Sequence, residues 1–182
     1  MTETAEITIR TGPRPGDLGK VLTMHGEFYA REHGFDEEFE AHVARGLAGF
    51  AAARAAGGEP GRLWAAERDG QVVGTVALTD EGGGLAQLRW FLVEPSARET
   101  GLGRRLLGVL LEHARERGYR QIRLWTVDRL EAAAHLYLAA GFRVTERHPV
   151  RQWGHDLDEL RYDLHLTRPA NPGAPHAREV RS

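Results

Sequence analysis

The sequence predicts an α/β (α+β) fold in which helices flank a mixed sheet. Its first apolar runs are linked by short turns, which make neighbouring strands antiparallel, whereas its later runs alternate with helical segments, which allow parallel strands. The predicted order of elements is β-α-α-β-β-β-α-β-α-β-β. Because early hairpins are incompatible with a fully parallel sheet, a doubly wound fold is excluded.

The composition is typical of one folded domain. The chain has 182 residues, of which 41% are hydrophobic and 27% charged. The absence of cysteine excludes disulfides, thiolate metal sites and a catalytic thiol, and it predicts a cytoplasmic protein. A net charge of −2 disfavours a broad nucleic-acid surface, and no apolar run approaches the ~18 residues of a membrane helix. The domain is expected over residues 6–167, followed by a flexible tail at 168–182.

One strand and two helices are predicted in the first third of the chain. Alternation around Ile7 and Ile9 predicts a strand over residues 6–11. After a turn rich in proline and glycine, a helix begins at Asp17. A second helix is expected over residues 36–56, where apolar side chains recur at three- and four-residue spacing and therefore share one face. These side chains are Phe39, Val43, Leu47 and Phe50.

Three strands are predicted next. Runs at 63–68 and 71–79 are joined by Asp69-Gly70, a two-residue link that is a strong hairpin signal. A third run spans residues 85–93 and ends before Pro95, because proline cannot donate a hydrogen bond to a central strand.

Helices and strands alternate in the remainder of the domain. The segment 101–117 presents one apolar face and is predicted to be a helix. The remaining predicted elements are a strand at 121–127, a helix at 130–140 and two final strands at 142–150 and 160–166.

The loop between the third of these strands and the helix at 101–117 carries the first chemical signal. The free N–H groups at a helix start and the helix dipole together attract anions. Gly101 and Gly103 lack the Cβ atoms that would keep a phosphate off the backbone, and Arg104 adds positive charge. The alternative is that the glycines are only turn residues and the arginines are solvated. A dinucleotide-binding glycine pattern and a P-loop are both absent.

This loop resembles the acetyl-CoA-binding motif of the GNAT acetyltransferases. The matching pattern is Val93-x-Pro95-x-x-Arg98-x-x-Gly101-x-Gly103, followed by an apolar helix. The resemblance implies a GNAT-type sheet that is mixed but mostly antiparallel. It also implies an enzyme that uses acetyl-CoA as its co-substrate and needs no metal.

A second block, Tyr137-Leu-Ala-Ala-Gly141-Phe142, resembles a later element of the same family. The resemblance extends over about residues 6–166. Four further segments are similar to the acetyltransferase half of proteins that fuse a MarR-type DNA-binding domain to a GNAT domain. These segments are 29–34, 88–89, 124–126 and 154–157.

The family resemblance implies roles for individual residues. Tyr137 matches the general acid, because a phenol with a pKa of about 10 can give the leaving thiolate a proton without being ionised at neutral pH. The pantetheine arm is expected along the strand at 91–93 and the pyrophosphate on the backbone of 99–104, with Arg98 shaping the loop and Arg104 contacting phosphate. The predicted cofactor-binding residues are Phe91, Leu92, Val93, Arg98, Glu99, Thr100, Gly101, Leu102, Gly103 and Arg104.

Two features depart from the family pattern. Leu130 stands where many members have asparagine, seven residues before the predicted acid. The strand at 88–92 offers no carboxylate that could act as a base. Glu27, Glu32 and Asp36 are then the candidate bases, and the alternatives are that they are solvated helix charges and that a chain of water molecules removes the proton.

Arg89 is the strongest candidate for contact with the acceptor. Beside Trp90 in an apolar strand, it is expensive to bury without an anionic partner. We therefore hypothesise that its guanidinium faces the acceptor pocket and binds a substrate carboxylate. The alternative is an ion pair with Glu94 or with a neighbouring strand.

Tyr29, Trp125 and His25 are predicted to line the same acceptor pocket. The histidines lack the spacing of metal ligands, so no metal site is predicted. His155 and Asp156 are expected to stabilise a loop rather than to take part in catalysis.

Together these observations predict an acetyl-CoA-dependent N-acetyltransferase that acts on a small-molecule amine. Two alternatives stay open. One is an acyl-CoA-binding sensor with little turnover, which Leu130 and the missing strand carboxylate favour, and the other is an enzyme that acetylates protein N-termini or lysines. A homodimer is expected from edge strands and from the habit of the family, whereas neither nucleic acid nor membrane is an expected partner.

Overall fold

Helices and strands follow one another in the predicted order within residues 6–167, the part of the chain that the computed structural model describes. The predicted tail at 168–182 lies outside these residues. The elements are β1 (Thr8–Gly12), α1 (Asp17–His33), α2 (Glu37–Ala55), β2 (Gly61–Arg68), β3 (Gln71–Gly82), β4 (Leu85–Val93), a 3₁₀ turn (Pro95–Thr100), α3 (Leu102–Glu116), β5 (Gln121–Val127), α4 (Glu131–Ala139), β6 (Arg143–Gln152) and β7 (His155–His165).

The strands form one seven-stranded sheet in the order β1-β2-β3-β4-β5-β7-β6. Within the described residues β4 and β5 pair in parallel, and every other neighbouring pair is antiparallel. The predicted mixed sheet, mostly antiparallel and flanked by helices, is therefore confirmed. The predicted hairpin is also present, with φ of 53° at Asp69 and 73° at Gly70, as a tight two-residue turn requires.

The last strand, β7, begins at His155, earlier than the predicted start at residue 160. A two-residue turn, Trp153-Gly154, joins β6 to β7 with φ of 54° and 81°. This turn places Gln152 opposite His155 and makes the two strands a hairpin. A bulky aromatic residue rarely adopts positive φ, so the local sequence contains little sign of the turn.

Helices cover both faces of the sheet. Along β2, Trp64 and Ala66 pack in the cluster that includes α3 and α4, whereas Leu63 packs with α1 and α2, and Ala65 packs with α1. This alternation is the period of two that is expected of a strand buried on both faces. All four apolar side chains predicted for one face of α2 are buried.

The parallel strands β4 and β5 separate along their length. They pair between residues 85–87 and 121–123, although β4 continues to Val93 and β5 to Val127. The backbone of β4 beyond Gln87 therefore has no strand next to it on the β5 side. The strand segment at 91–93, which the resemblance assigns to the pantetheine arm, lies in this unpaired part.

A buried ion pair fastens the start of α1 to β1. The Asp17 carboxylate accepts hydrogen bonds from Arg10 Nη1 and Nη2 at 2.8 and 2.9 Å and from the Arg14 N–H at 2.6 Å. Arg10 Nε also donates to Glu67 of β2 at 2.7 Å. The hydrogen bonds from Arg10 are the main reason that the pKa of Asp17 lies below its ordinary value, and burial opposes them. One carboxylate thus links the first helix to the edge of the sheet.

Replacing Asp17 by Asn should lower the free energy of unfolding by about 3 kcal/mol at neutral pH, because Arg10 would lose its main partner in a buried setting. Since the folded pKa of Asp17 is depressed, its contribution is present above the unfolded pKa of about 4 and is lost as the pH falls through the lower, folded pKa. Urea unfolding at pH 7 and at pH 3 measures the difference between the two proteins, which should shrink at the lower pH.

The control for this measurement is Glu112→Gln, an exposed side chain of α3. It should change the free energy of unfolding by less than about 0.5 kcal/mol. Equal stability of wild type and Asp17→Asn at pH 7 would contradict the prediction.

Candidate active site

A β-bulge in β4 turns this strand away from β5. Between the pairs Thr75–Leu92 and Ala77–Arg89, a single residue of β3 lies opposite two residues of β4. One of these two, Trp90, has φ of 48°, in the left-handed region that L side chains rarely adopt. The buried Thr75 hydroxyl donates to the Trp90 carbonyl oxygen at 2.9 Å and so stabilises the bulge.

The bulge brings two successive side chains to the same face of the sheet. Ordinary strand residues alternate between faces, yet Arg89 and Trp90 both approach Gly46 of α2. A Cβ atom on Gly46 would lie 2.6 Å from Arg89 Nη2 and 3.2 Å from Trp90 Cζ2. A side chain at position 46 would therefore displace the Arg89 guanidinium and press on the Trp90 ring.

Two cavities flank the bulge. The first, the α3 cleft, has a volume of about 640 Å³ and lies between α1, β4, α3 and α4. The second, the α2 cavity, has a volume of about 330 Å³ and lies between α1, α2, β4, β5, α4 and the β6–β7 hairpin. Four side chains line both cavities and define the junction between them: Tyr29, Phe91, Leu130 and Ala133.

The N-terminus of α3 borders the α3 cleft. Gly101, with φ of 76°, precedes the helix, and its carbonyl oxygen accepts a hydrogen bond from the Arg105 N–H. The N–H groups of residues 102–104 therefore have no partner inside the helix, and together with the helix dipole they favour an anion. Gly103 is closely packed, because a Cβ atom there would lie 3.0 Å from Leu136 Cδ1.

The predicted cofactor-binding residues lie around this end of the α3 cleft, but not all of them line it. The Leu102 side chain is fully buried in the core, so only its backbone is available to a ligand. Glu99, Thr100, Gly101 and Arg104 are exposed on the loop and the first helical turn. The residues that line the cleft are Phe91, Leu92, Val93, Arg98 and Gly103.

Arg98 is held by the surrounding structure. Its Nε donates to the Val93 carbonyl oxygen at 3.3 Å, and its guanidinium carbon lies 4.6 Å from the centre of the Phe28 ring. These contacts connect the 3₁₀ turn to β4 and α1. Arg104, the predicted phosphate contact, is exposed beside the free N–H groups of α3.

Tyr137 lines the α2 cavity and is almost fully buried. The centre of its ring lies 6.0 Å from that of Phe91, 5.9 Å from that of Phe142 and 5.8 Å from that of Tyr162. Burial raises the pKa of Tyr137 well above its usual value. Its hydroxyl is therefore protonated at neutral pH.

Arg89 extends into the same cavity. Within residues 6–167 no carboxylate lies within 4.0 Å of its guanidinium, so the alternative of an ion pair with Glu94 is not realised. Its guanidinium carbon lies 4.9 Å from the centre of the Trp90 ring. Burial lowers the pKa of Arg89, and the charge of Glu81 on the neighbouring strand β3 opposes this shift from beyond ion-pair distance. A partly buried cation without an acidic partner is available to a negatively charged group of a ligand.

The other predicted pocket residues also line the α2 cavity. Tyr29 lies at the junction and stacks on His25 with 6.0 Å between ring centres, and burial raises the pKa of Tyr29 to about 12. Trp125 is 38% exposed and forms part of the solvent-facing wall. The structure thus brings Tyr137, Arg89, Tyr29 and Trp125 to one cavity.

His25, expected in this pocket, is buried and neutral. Its Nδ1 lies 2.8 Å from the Val21 carbonyl oxygen. Because only a protonated nitrogen can hydrogen-bond to a carbonyl oxygen, Nδ1 carries the hydrogen and Nε2 keeps its lone pair. Burial lowers the pKa of His25 to about 4.

Comparison with known proteins assigns the family. The model of the acetyltransferase (GNAT) family matches residues 32–142, which is more than half of the chain. The chain belongs to the GNAT acetyltransferase family. An uncharacterized N-acetyltransferase of Schizosaccharomyces pombe is 31% identical over 152 residues, which cover 80% of this chain and 88% of that protein. N-acetyltransferase 8F1 of Rattus norvegicus is 37% identical over 90 residues, 47% of this chain, and the chain spans only 41% of that relative's length.

Solved GNAT structures share the fold. The acetyltransferase yncA of Salmonella typhimurium, solved with its cofactor acetyl-CoA, has a TM-score of 0.71 at 23% identity over 93% of this chain and 99% of its own. The ribosomal-protein-S18-alanine N-acetyltransferase of Escherichia coli has a TM-score of 0.68 at 20% identity over 93% and 99% of the two chains. At these identities the likeness establishes the fold, and the GNAT-type sheet implied by the sequence is confirmed.

One residue of the junction departs from the GNAT pattern. Leu130 is the N-cap of α4, and its side chain makes no capping hydrogen bond. It stands at the position that is asparagine in many members, and it lines both cavities. The junction is therefore apolar at a point where the family pattern has an amide.

The three acidic residues predicted as candidate bases do not line the α2 cavity. Glu32 lines the α3 cleft, and Glu27 lines neither of the two cavities. Asp36 is the N-cap of α2, where its carboxylate accepts a hydrogen bond from the Glu38 N–H at 3.0 Å. A capping role accounts for Asp36 without catalysis.

The acidic side chain that does line the α2 cavity is Glu159 of β7. Sequence reasoning misses it, because the predicted strand begins at Leu160 and leaves Glu159 outside the sheet. The turn at Trp153-Gly154 lengthens β7 and places Glu159 opposite Val127 of β5. The sequence signal for this turn is Gly154, which follows the strand predicted at 142–150.

His155 has the loop-stabilising role that the sequence predicts. Its Nε2 donates to the Gly34 carbonyl oxygen at 2.9 Å, and its Nδ1 accepts a hydrogen bond from Arg129 Nη1 at 3.1 Å. Asp156 is exposed and pairs with Arg151 at 3.1 Å. The imidazole thus connects the start of β7 to the loop between α1 and α2.

The described part of the chain contains neither a membrane-spanning helix nor a metal-binding cluster. Over residues 6–167 no helix combines the length and the apolarity that a bilayer crossing needs. In the same range no three His, Asp or Glu side chains converge to form a metal site.

Replacing His25 by Gln should make folding less sensitive to acid. The unfolded histidine binds a proton near pH 6.5, whereas the folded one does so only at about pH 4. The stability of the wild type should therefore fall as the pH drops through this window, by about 2 kcal/mol between pH 8 and pH 5 from this group. The variant should not show this part of the loss in stability. Urea unfolding at pH 8 and at pH 5 measures the free energy of unfolding of both proteins. His165→Gln, an exposed side chain, should leave the loss unchanged, and an equal loss in His25→Gln would refute the assignment.

Proposed function

We propose that this GNAT protein is an acetyl-CoA-dependent N-acetyltransferase that acts on a small amine. The observation that carries the proposal is the junction of two cavities beside an unpaired strand edge. The α3 cleft would hold the acetyl donor and the α2 cavity the amine. The reacting groups would then meet at the junction, next to Tyr137.

The α3 cleft suits the donor in two ways. No strand pairs with residues 91–93 on the β5 side, so their free backbone groups there can hydrogen-bond to the amides of a pantetheine arm as a neighbouring strand would. The Val93 carbonyl oxygen is the exception, since it accepts a hydrogen bond from Arg98. The free N–H groups of residues 102–104, together with Arg104, suit a pyrophosphate. Acetyl-CoA would supply an acyl thioester that an amine can attack. The Salmonella typhimurium structure of the same fold, solved with acetyl-CoA, supports this choice of donor.

Tyr137 is the proton donor in this proposal. Burial keeps its hydroxyl protonated at neutral pH. Ala133, which lines the junction, lies four residues earlier on α4, so the two residues share one face of the helix. As the carbon–nitrogen bond of the product forms and the carbon–sulfur bond of the thioester breaks, the hydroxyl would give its proton to the sulfur atom. The proton that the attacking nitrogen loses would then restore the phenol of Tyr137.

Arg89 favours an acceptor that carries a carboxylate. Its guanidinium lines the α2 cavity and lacks an acidic partner within residues 6–167. A carboxylate would supply the missing negative charge through a bidentate pair of hydrogen bonds.

The closer relatives, the location and the partners of the protein are inferred from its sequence alone. We propose kinship with the acetyltransferase half of the MarR–GNAT fusion proteins, on the four segments that resemble it. A cytoplasmic location, a homodimer, and the absence of nucleic-acid and membrane partners stay predictions.

Replacing Tyr137 by Phe should lower kcat by about 100- to 1,000-fold, because the leaving sulfur loses its proton donor. The Kd for acetyl-CoA should not change, since the ring and its packing are retained. Thiol release with a panel of amines measures kcat, and calorimetry with coenzyme A measures binding. Tyr119→Phe, at the opposite end of α3, is the matched control and should behave as wild type.

Two outcomes would count against this proposal. An unchanged kcat in Tyr137→Phe would remove the assigned acid. A wild-type protein that binds acetyl-CoA but releases no thiol with any amine would favour the acyl-CoA sensor over the enzyme.

Replacing Gly103 by Val should weaken coenzyme A binding at least tenfold. The new side chain would collide with Leu136 Cδ1, which lies 3.0 Å from the ideal Cβ position, and would occupy the start of α3 where the pyrophosphate is expected. Calorimetry measures Kd, and a melting curve verifies that the variant is folded. Gly108→Ala, on the same helix with open space around its Cβ position, should leave Kd unchanged. Equal Kd values for Gly103→Val and wild type would contradict the assignment.

A further inference from the structure

The α2 cavity contains one cation and one anion that do not neutralise each other. Arg89 lines it from β4 and Glu159 from β7, and neither forms an ion pair with another residue in the range 6–167. His25 and His42 also line the cavity, and burial lowers the pKa of each, so both are neutral near pH 7. The cavity thus presents two separate charges of opposite sign.

Glu159 differs from the other acidic residues of the β6–β7 hairpin. Each of the others pairs with an arginine of the same hairpin, which leaves Glu159 as the acidic side chain directed to the cavity. These pairs are Glu146 with Arg161, Asp163 with Arg161, Asp156 with Arg151 and Asp158 with Arg147.

The two charged side chains lie on different elements around the cavity. Glu159 lies opposite Val127 of β5, whose carbonyl oxygen accepts a hydrogen bond from the N–H of Leu130 at the junction. Arg89 instead lies against α2, close to Gly46. Burial, and then the charge of Arg89, lower the pKa of His42 on the same helix. The two charged side chains therefore enter the cavity from different strands, Glu159 from β7 and Arg89 from β4.

Uncharged groups complete the cavity. Gln152 lines it, and its Nε2 is buried without a hydrogen-bond partner within the described residues. The remaining walls are largely aromatic, and they are formed by Phe35, Phe39, Trp90, Trp125 and Trp153. Such walls suit an apolar body rather than a sugar or a second charged group.

We propose, on the basis of the function proposed above, that the acceptor is a zwitterionic amino acid with an apolar side chain. Its ammonium group binds Glu159, its carboxylate binds Arg89, and its side chain packs on the aromatic walls. The ammonium group gives one proton to bulk water before the neutral nitrogen attacks the thioester. A ligand with only one of the two charged groups would leave Arg89 or Glu159 unpaired in a partly buried site, which is unfavourable. Selection therefore depends on both charges of the ligand.

Three acceptors with one apolar body test the proposal: phenylalanine, phenylalaninamide and 2-phenylethylamine. At saturating acetyl-CoA, kcat/KM from thiol release should be at least tenfold higher for phenylalanine than for the other two, which lack the carboxylate. Arg89→Gln should abolish this preference. Glu159→Gln should lower kcat/KM at least tenfold for all three acceptors, mainly through KM, because all three carry the ammonium group.

The control variant is Asp156→Asn, on the same hairpin, whose carboxylate is exposed and pairs with Arg151 at the surface. It should leave kcat/KM for each acceptor unchanged. A binding measurement that needs no turnover uses the tryptophans of the cavity wall. With coenzyme A present, phenylalanine should change their fluorescence at concentrations at least tenfold lower than phenylalaninamide does, and Arg89→Gln should abolish this difference.

The outcomes separate this inference from the proposed function. If acetyl-CoA binds and amines are acetylated, but phenylalanine shows no preference in rate or in binding, the zwitterion assignment is overturned and the enzyme stands. If acetyl-CoA binds without turnover, the fluorescence titration still decides the acceptor class. If acetyl-CoA does not bind at all, the proposed function fails, and selective binding of phenylalanine would then support the cavity assignment alone.

Discussion

The left-handed backbone of Trp90 determines where the site can form. A bulky residue in this conformation costs about 1–2 kcal/mol, which the surrounding contacts must offset. The Thr75 hydroxyl bonds to its carbonyl oxygen, and its indole packs edge-on against Phe50 with 5.5 Å between ring centres. Through the bulge, Arg89 faces α2 together with Trp90, and the next segment of β4 departs from β5. Both cavities and their junction depend on that departure.

Burial then sets the protonation states within the site. The same physical cause acts in opposite directions on different groups, because desolvation always disfavours the charged form. It raises the pKa of Tyr137 and Tyr29 and lowers that of His25, so all three are neutral at physiological pH. The charges that remain in the α2 cavity belong to Arg89 and Glu159. In surroundings of low polarity, two such charges act on a ligand more strongly than they would at the surface.

Much of this arrangement is visible in the sequence, where local chemistry determines local structure. Local sequence predicts the apolar face of α2, the Asp69-Gly70 turn and the glycine loop at the start of α3. The structure contains all three. Arg89 could be placed in a pocket because an unpaired arginine in an apolar strand needs an explanation. These features depend on neighbours that are close in the chain.

The features that sequence reasoning misses depend on distant neighbours. The residues around Trp90 alternate as an ordinary strand does, and the bulge arises only from the register with β3. The Trp153-Gly154 turn is similar, because its strained tryptophan is stabilised by packing on Phe35 and Phe39, with 5.0 and 4.9 Å between ring centres. Because the sequence does not predict that turn, it also does not predict that Glu159 belongs to β7 and lines the α2 cavity.

The β6–β7 hairpin has a consequence for how this protein can diversify. The part of the chain that matches the family, residues 32–142, includes the glycine loop and Tyr137. Gln152, Trp153 and Glu159, which form one wall of the α2 cavity, come after it. Substitutions confined to the β6–β7 hairpin could therefore change which acceptor the proposed enzyme binds. The segment that is proposed to bind acetyl-CoA would remain unchanged.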